Sequence, residues 1–498
     1  HLLSRRQRQM CIRDRNMRVL ENVQPQKVFY YFEELAGIPH GSYHTKAISD
    51  YCMNFAKERE LEAYQDAYNN VVIIKEATAG YESAEPIILQ GHLDMVCEKE
   101  NDTEIDFENE GLRLFIDGEF VKAKGTTLGG DDGIAIAYAL AILDSDEIAH
   151  PRLECVFTVD EEVGMLGAEK IDLSMLKGHQ VLNIDSDVEG IFLTSCAGGV
   201  TAECSFPLVF DEAEGLQYRL TLTGLMGGHS GGEIDKERAN AIVEIGRILK
   251  HLDDTLEMGI CALNGGLKDN AIPRECICDI LVTPEDEKKL EDAVFALNRT
   301  LQKEYQASDP DIVLKSEKLG TKKTQVLGYR SQSRILFFLR NMPNGIQHMN
   351  MEIPGLPETS LNAGIMKMTE EEFSVSFSVR SSVKSRKEEV MDRLSYLSEF
   401  LGGTVTFTGN YPAWEYKKDS KVRELVLDVY RDLYQKEPKI EAIHAGLECG
   451  ILSEKIENLD CVSFGPDNFD IHTPKERLSI SSTERVWKFI LEFLKRAK

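Results

Sequence analysis

Short apolar runs alternate with amphipathic stretches along the first two hundred residues. Between residues 26 and 60 apolar side chains recur at helical spacing, which predicts two amphipathic helices. Four strand-length runs follow, rich in Val, Ile and Leu, at 71–74, 86–90, 153–159 and 181–184. Helical stretches are predicted between and after them, at 134–143 and 166–176. This alternation predicts an α/β fold with a mostly parallel central sheet flanked by helices.

The pattern changes after residue 197 and again after residue 409. Between them, alternating strands such as 218–223 accompany charged helices such as 284–302, which indicates a separate α+β domain. We therefore expect an α/β domain formed by residues 17–197 and 410–498, interrupted by an inserted domain at 198–409.

Composition and charge narrow the classes of function. The chain has 498 residues, 42% of them hydrophobic, and a formal net charge of −27, which would repel phosphate backbones. No apolar run is long enough to span a membrane. Eleven cysteines without a Cys-x-x-Cys pair indicate reduced thiols in a cytoplasmic protein. The first sixteen residues carry five of the arginines, and we expect residues 1–16 to be a non-native or disordered leader.

Carboxylate and imidazole side chains follow three of the four apolar runs, and others lie in a glycine-rich turn near residue 130. In open α/β sheets, ligands bind at the carboxyl ends of the strands. A hydrolytic metal site needs such ligands and also a base that is not a ligand, and the adjacent Glu161 and Glu162 can supply one of each. Any single acid of this kind is more often a helix cap or a solvated loop residue. The candidates are His92, Asp94, Asp131, Asp132, Asp160, Glu161, Glu162 and Asp185.

Two histidines near the C-terminus extend this set. His472 follows the predicted strand 461–464, so it can return to the sheet edge that carries His92. His444 lies in IHAGLECG, another candidate loop. The long stretch between Asp185 and His472 leaves room for an inserted domain.

A rival signal lies in Gly-His-Ser-Gly-Gly around Ser230, which matches the nucleophile elbow of serine hydrolases. An elbow requires a helix directly after the serine, whereas GGEID intervenes here. The same segment can instead present His229 on a glycine-rich turn, where an imidazole can reach a substrate carbonyl oxygen. The sequence alone allows both interpretations, a nucleophilic Ser230 and a substrate-binding His229.

Eleven motifs in order along the chain give a specific resemblance. They are GHLDMV, KGTTLGGDDG, DEEVGMLGA, NIDSDVEG, CAGG, GGHSGGEI, NAIPRE, NMPNG, ETSLN, IHAGLECG and HTP. Together they resemble the aminoacyl-histidine dipeptidases, also called cytosolic non-specific dipeptidases, from about residue 24 to 490.

The resemblance implies a site with two divalent metal ions, zinc in the first place, with manganese or cobalt as alternatives. One ion would be held by His92 and Asp185, the other by Glu162 and His472, and Asp131 would bridge them. In that family the bridging aspartate is followed by a cis peptide.

The resemblance also implies the remaining roles. Glu161 would be the general base and acid, and Asp94 would orient His92. Asp132 stands where an asparagine is common in the family. The implied substrate-binding residues are His229, Asn270, Arg380 and His444.

The expected activity is hydrolysis of dipeptides with broad specificity, including Xaa-His dipeptides such as carnosine. The inserted domain would be a lid that also forms a homodimer. The alternatives are an aminoacylase or tripeptidase of the same clan, a serine hydrolase that uses Ser230, and a non-catalytic relative that binds metal or peptide.

Overall fold

The computed structural model describes residues 18–498, so the expected leader lies outside the described residues. These residues form two compact units. Unit 1 comprises the described residues up to Thr194 together with Tyr416–Glu441 and Leu447–Lys498, and unit 2 comprises Ser195–Glu415 and Ala442–Gly446. Within the described part of the chain, no helix has the length and apolar character that a membrane crossing requires.

The helices and strands are numbered here along the chain. The first part contains α1 (Gln26–Ala36), α2 (Lys46–Glu58), β1 (Glu62–Gln65), β2 (Val71–Lys75), β3 (Ile87–His92), β4 (Leu114–Asp117), β5 (Phe120–Ala123), α3 (Gly130–Leu143), β6 (Leu153–Thr158), α4 (Leu166–Lys170), β7 (Gln180–Asn183) and β8 (Ile191–Cys196). The middle part contains β9 (Gly198–Pro207), β10 (Phe210–Thr223), β11 (Gly228–His229), α5 (Ala241–Asp253), β12 (Met258–Gly265), β13 (Ala271–Ile272), β14 (Cys276–Val282), α6 (Glu287–Glu304), β15 (Val313–Leu327), α7 (Tyr329–Asn341), β16 (Gly345–Met349), β17 (Pro357–Met368), β18 (Glu372–Ser381), α8 (Lys384–Phe400) and β19 (Thr404–Tyr411). The last part contains α9 (Lys421–Tyr434), β20 (Lys439–Ile443), α10 (Glu448–Lys455), β21 (Asp460–Ser463), β22 (Asn468–Phe469), β23 (Arg477–Ser479) and α11 (Ile480–Arg496).

An eight-stranded sheet in the order β1-β2-β6-β3-β7-β21-β8-β20 organises unit 1. The four central strands β6, β3, β7 and β21 are parallel, whereas β1, β2 and β8 pair antiparallel to their neighbours. His92 of β3 lies opposite Thr158 of β6, and Gln90 lies opposite Asn183 of β7. The α/β fold class is confirmed, and the four parallel strands have their carboxyl ends at one edge of the sheet.

Burial in the core and a local turn account for the helices α3 and α4 of unit 1. Every residue of α3 from Ile134 to Leu143 is buried, which fits a helix that is apolar all round. The helix predicted at 166–176 is shorter, because α4 ends at Lys170 and Ile171 adopts extended dihedrals. The Asp172 carboxylate then accepts a hydrogen bond from Ser174 N, and such a local side-chain turn competes with helix continuation.

Unit 2 is built on an antiparallel sheet in the order β15-β10-β14-β12-β17-β18-β9-β19, with β16 also paired to β17. Buried residues of its strands and of helices α5, α6, α7 and α8 form a separate hydrophobic core. The predicted helix 284–302 corresponds to a short 3₁₀ turn, Pro284–Asp286, followed by α6. Unit 2 is therefore an α+β unit.

The unit boundaries differ from the expected 197/198 and 409/410. Cys196 and Trp414 exchange backbone hydrogen bonds of 3.0 and 3.2 Å, which ties the segment after β19 to unit 2. Ala197 N donates to Ile443 O and to Ala445 O, at 3.1 and 3.0 Å. These pairings between distant segments place 410–415 and 442–446 in unit 2.

Candidate metal centre

The carboxyl ends of β3, β6 and β7 position the first group of candidates. His92 is the last residue of β3, Glu161 and Glu162 follow β6, and Asp185 comes two residues after β7. Asp131 lies in the first turn of α3 and is joined to Asp132 by a cis peptide bond, as expected. His472 lies in the turn between β22 and β23. All of these residues belong to unit 1.

Asp131 lies between the two histidines. Its Oδ1 is 3.1 Å from His92 Nε2, and its Oδ2 is 3.1 Å from His472 Nε2. His472 Nε2 is also 3.1 Å from Glu162 Oε2, and His92 Nε2 is 4.0 Å from Asp185 Oδ1. A carboxylate that faces one imidazole with each oxygen can bridge two cations, as two-metal sites require.

The side-chain donors form three candidate metal-binding groups, each with its atoms within 4.8 Å of one another. Asp132 belongs to one of them, although its Oδ2 also accepts a hydrogen bond of 3.1 Å from His92 N. The groups are His92 with Asp132 and Asp185, His92 with Glu161 and Glu162, and Asp131 with Glu162 and His472.

Two further features of this donor set fit divalent cations. Glu162 Oε1 is buried and has no hydrogen-bond partner among the described residues, so a carboxylate oxygen is left with an open acceptor position. His92 Nδ1 lies 2.9 Å from the backbone oxygen of Asp94, so Nε2 is the ring nitrogen that faces the cluster and would bind a cation. Imidazole nitrogen and carboxylate oxygen are the ligands that zinc and similar ions accept.

Asp94 connects two of the strand ends. Its carboxylate accepts hydrogen bonds from Glu161 N at 3.0 Å and from Ser42 Oγ at 2.8 Å, and it lies 3.5 Å from His92 Nδ1. The side chain is almost fully buried. Asp94 thereby holds the imidazole of His92 and the turn that carries Glu161 in one arrangement.

The charges of the cluster perturb its titration. Burial raises the pKa of Glu161 to about 8, a shift that His92 opposes and the nearby carboxylate of Glu448 increases. Hydrogen bonds to Asp131 and to a neighbouring carboxylate raise the pKa of His472 to about 10. Burial disfavours the charged form of Asp131, but the two imidazoles outweigh it and lower its pKa. A divalent cation at this cluster would compete with the protons, because metal ligands must be deprotonated.

His229 lies in unit 2, on the short strand β11. Its Nδ1 accepts hydrogen bonds from Gly231 N and Gly232 N, at 3.2 and 3.1 Å. Burial, and then the positive charge of Arg380, lower the pKa of His229. The ring is therefore neutral and presents an Nε2–H donor.

Arg380 and His444 are buried in unit 2. Arg380 donates to Tyr411 Oη at 3.2 Å, but its Nε has no partner, and it forms no ion pair with an acid of the described residues. His444 Nε2 lies 2.7 Å from Ser360 Oγ while its Nδ1 is unpartnered; burial and Arg380 lower its pKa to about 3. A buried guanidinium without a carboxylate partner is suited to bind an anionic ligand.

Asn270 is the fourth substrate-binding candidate of unit 2. Its backbone oxygen accepts a hydrogen bond from Ser230 N at 2.9 Å, which joins the segments around β11 and β13. The residue is exposed, so its amide side chain is accessible.

The interpretation of Ser230 as the serine of a nucleophile elbow is wrong. The serine is buried, with 1% of its surface exposed, and its Oγ has no hydrogen-bond partner among the described residues. A turn and the 3₁₀ segment Ile234–Lys236 follow it in place of the helix that an elbow requires. The neighbouring His229 accepts from glycine N–H groups through Nδ1, and no base among the described residues is hydrogen-bonded to this hydroxyl.

Sequence reasoning missed two buried glutamates of unit 1. Glu448 accepts hydrogen bonds from Gln90 Nε2 and, at 2.6 Å, from Thr158 Oγ1, and burial raises its pKa to about 7. Glu476 lies four positions after His472 and contacts the turn before α3. Acidic residues at helix starts and in polar loops are common on protein surfaces. In the sequence, only the closeness of Glu476 to His472 pointed to a role at the site.

The fold and the cluster together define the class: an α/β protein with a candidate two-cation site at the carboxyl edge of its sheet. The pattern of Peptidase family M20/M25/M40 matches residues 88–496. The chain belongs to this peptidase family.

Individual relatives agree with this assignment. The cytosol non-specific dipeptidase of Escherichia coli (strain K12) is 36% identical over 481 residues, which cover 96% of this chain and 99% of that protein. The crystal structure of aminoacylhistidine dipeptidase from Vibrio alginolyticus superposes with a TM-score of 0.91 at 36% identity, covering 96% of this chain and 98% of that one. Aminopeptidase PepT from Bacillus cereus shares the fold, with a TM-score of 0.56 at 13% identity over 95% of this chain and 99% of that one. The resemblance indicated by the motifs is confirmed.

Proposed function

We propose that the protein is a metal-dependent dipeptidase of broad specificity that includes Xaa-His dipeptides among its substrates. The observation that carries this proposal is the placement of Asp131, which offers one oxygen to each of two imidazoles beside the carboxylates Glu161 and Glu162. Two relatives that match nearly the whole chain are named as dipeptidases, which supports the substrate class.

The residues of unit 1 would hold two divalent cations. We assign His92 and Asp185 to one ion, Glu162 and His472 to the other, and Asp131 to both. Bound cations would supply Lewis-acid charge that acidifies water and polarises a carbonyl oxygen. Zinc is the first candidate and manganese or cobalt the alternatives, because all three accept imidazole and carboxylate ligands.

Glu161 would move the proton. As general base its carboxylate takes a proton from the attacking water, and as general acid it delivers that proton to the nitrogen of the leaving amine. A buried carboxylate with a raised pKa can hold the proton between these two transfers. Asp94 would hold Glu161 and His92 in place, because its carboxylate accepts a hydrogen bond from Glu161 N and its backbone oxygen lies 2.9 Å from His92 Nδ1.

Residues of unit 2 would bind the dipeptide. The neutral His229 can donate from Nε2 to the scissile carbonyl oxygen, where negative charge develops. Arg380, a buried cation without an acidic partner among the described residues, suits the free carboxylate of the substrate, and we assign Asn270 to the same end and His444 to substrate binding. Recognition of that carboxylate would favour short peptides over internal peptide bonds.

We further propose that unit 2 is the lid and the dimerisation domain of a homodimer. The name of the E. coli relative supports a cytoplasmic protein, and so do the ten cysteines of the described residues, which form no disulfide. The acidic charge argues against a nucleic-acid partner.

A substrate panel tests the proposed activity. Purified protein is incubated with Ala-His, Gly-Leu, a tripeptide and an N-acetyl amino acid, with and without a chelator, and the released amino acids are quantified. We expect both dipeptides to be cleaved, the other two substrates to be left intact, and cleavage to stop with chelator and return with added metal. Cleavage of the tripeptide or the N-acetyl amino acid in preference would indicate a tripeptidase or an aminoacylase, and chelator-resistant cleavage would contradict the metal site.

A further inference from the structure

The Glu476 carboxylate accepts hydrogen bonds from four successive backbone N–H groups. They belong to Leu128 at 2.7 Å, Gly129 at 3.2 Å, Gly130 at 2.8 Å and Asp131 at 3.4 Å. The first N–H groups of a helix have no partner inside the helix, and the N-cap of α3 is Gly129, which has no side chain to supply one. Glu476, from the far end of the chain and 2% exposed, supplies these acceptors.

The same carboxylate holds the hairpin that carries His472. Asn468 Nδ2 donates to Glu476 Oε1 at 3.2 Å, and Glu476 N donates to Thr473 O at 3.1 Å. Between these anchors His472 adopts a left-handed conformation with φ of 61°. One side chain therefore ties the turn before Asp131 to the turn around His472.

Two glycines, Gly129 and Gly130, form the turn before Asp131. Gly129 is left-handed, with φ of 68°, and a Cβ on Gly130 would lie 2.8 Å from Asn468 Nδ2 and 3.1 Å from Glu476 Oε1. Glycine is thus required for the close approach, but it leaves the backbone conformationally free. The contact with Glu476 compensates for that freedom.

We propose that Glu476 is a positioning residue that sets the place of the bridging carboxylate Asp131 relative to His472. This inference rests on the proposed function, because it assigns Asp131 to both cations. Glu476 would not be a metal ligand; it acts through the backbone of Asp131 and through the Asn468 side chain. Its charge also faces the positive N-terminal end of α3, which favours an anion there.

Glutamine at position 476 keeps the shape of the glutamate side chain but cannot accept the same hydrogen bonds. Two carboxylate oxygens share the four N–H donors, whereas Glu476→Gln leaves one acceptor oxygen and turns an NH₂ group towards N–H groups. We expect the turn to shift and the bridging geometry to loosen. Residues that support metal ligands in this way change metal affinity by about 10 to 100-fold when mutated.

Glu154 supplies a matched control. It is also a fully buried carboxylate of unit 1, and it accepts from Lys177 N at 3.0 and 3.1 Å, from Gly178 N at 3.0 Å and from Arg152 Nε at 2.8 Å. It belongs to β6 near the strand's amino end, away from the metal ligands that follow that strand. Glu154→Gln therefore reports the cost of disturbing a buried carboxylate without disturbing the cation site.

The test titrates metal-free wild type, Glu476→Gln and Glu154→Gln with Zn²⁺ by calorimetry and measures kcat and KM for Ala-His after loading. We expect Glu476→Gln to bind Zn²⁺ at least about tenfold more weakly and to lose kcat with little change in KM. Glu154→Gln should bind two ions with wild-type affinity, even if its unfolding temperature falls. Wild-type affinity, stoichiometry and kcat in Glu476→Gln would overturn the inference.

A milder variant covers the case in which Glu476→Gln fails to fold. Asn468→Ala removes the side-chain hydrogen bond between Glu476 and the His472 hairpin. We expect it to weaken Zn²⁺ binding severalfold while α3 stays capped; unchanged binding would overturn the inference. Failure of the proposed function is a separate outcome, in which wild type binds Zn²⁺ but cleaves no dipeptide. The affinity comparison between the variants is still decisive in that case.

Discussion

Glu161→Gln is expected to lower kcat for dipeptide hydrolysis by about 10² to 10⁴-fold, the usual contribution of a general acid–base residue. Glutamine cannot accept the proton of the attacking water or deliver one to the leaving amine. The substitution preserves size, so we expect the cations to bind and KM to change little. Steady-state kinetics and the metal content of the same preparation measure both effects.

The adjacent carboxylate provides the control for this prediction. Glu162 Oε2 lies 3.1 Å from His472 Nε2, and we assign Glu162 as a ligand rather than a base. Glu162→Gln should therefore lose metal together with activity, whereas Glu161→Gln should lose activity alone. A fully active Glu161→Gln protein would refute the role of Glu161.

Asp131→Asn is expected to reduce the bound cations from two per chain to at most one and to reduce activity to the level of the chelated protein. Each carboxylate oxygen of Asp131 faces a different imidazole, whereas an asparagine offers one acceptor oxygen and an NH₂ group. The bridge would be lost at one of its two ends. Elemental analysis after dialysis against Zn²⁺ and a parallel assay on Ala-His measure the two quantities.

Asp132→Asn is the matched control for the bridge. Asp132 is the neighbouring buried carboxylate, and its Oδ2 accepts from His92 N, a hydrogen bond that an asparagine oxygen can also accept. We expect this variant to retain both ions and most of the activity. If Asp131→Asn also retained two ions, Asp131 would not be the bridging ligand.

The parts of the site that follow from sequence are those whose position depends on a nearby strand. His92, Glu161 and Asp185 each follow an apolar run, and parallel pairing of the strands brings them to one edge. The return of His472 to this edge was predicted from the strand before it, which became β21.

The remaining features depend on contacts between distant segments, which no local pattern reveals. Glu476 meets the backbone of Leu128 across the length of the chain, and Glu448 becomes buried only when α10 packs near β3 and β6. The boundary at residue 415 likewise depends on the pairing of Trp414 with Cys196.

Titration of the metal-free protein tests the two-cation dipeptidase most directly. Chelator-treated protein at known concentration receives increasing Zn²⁺, or Mn²⁺ in a parallel series, while the rate of Ala-His hydrolysis is followed. We expect negligible activity without metal and a rise in rate that reaches its plateau at two ions per chain. Full activity without metal, or no dipeptide hydrolysis at any metal concentration, would contradict this expectation.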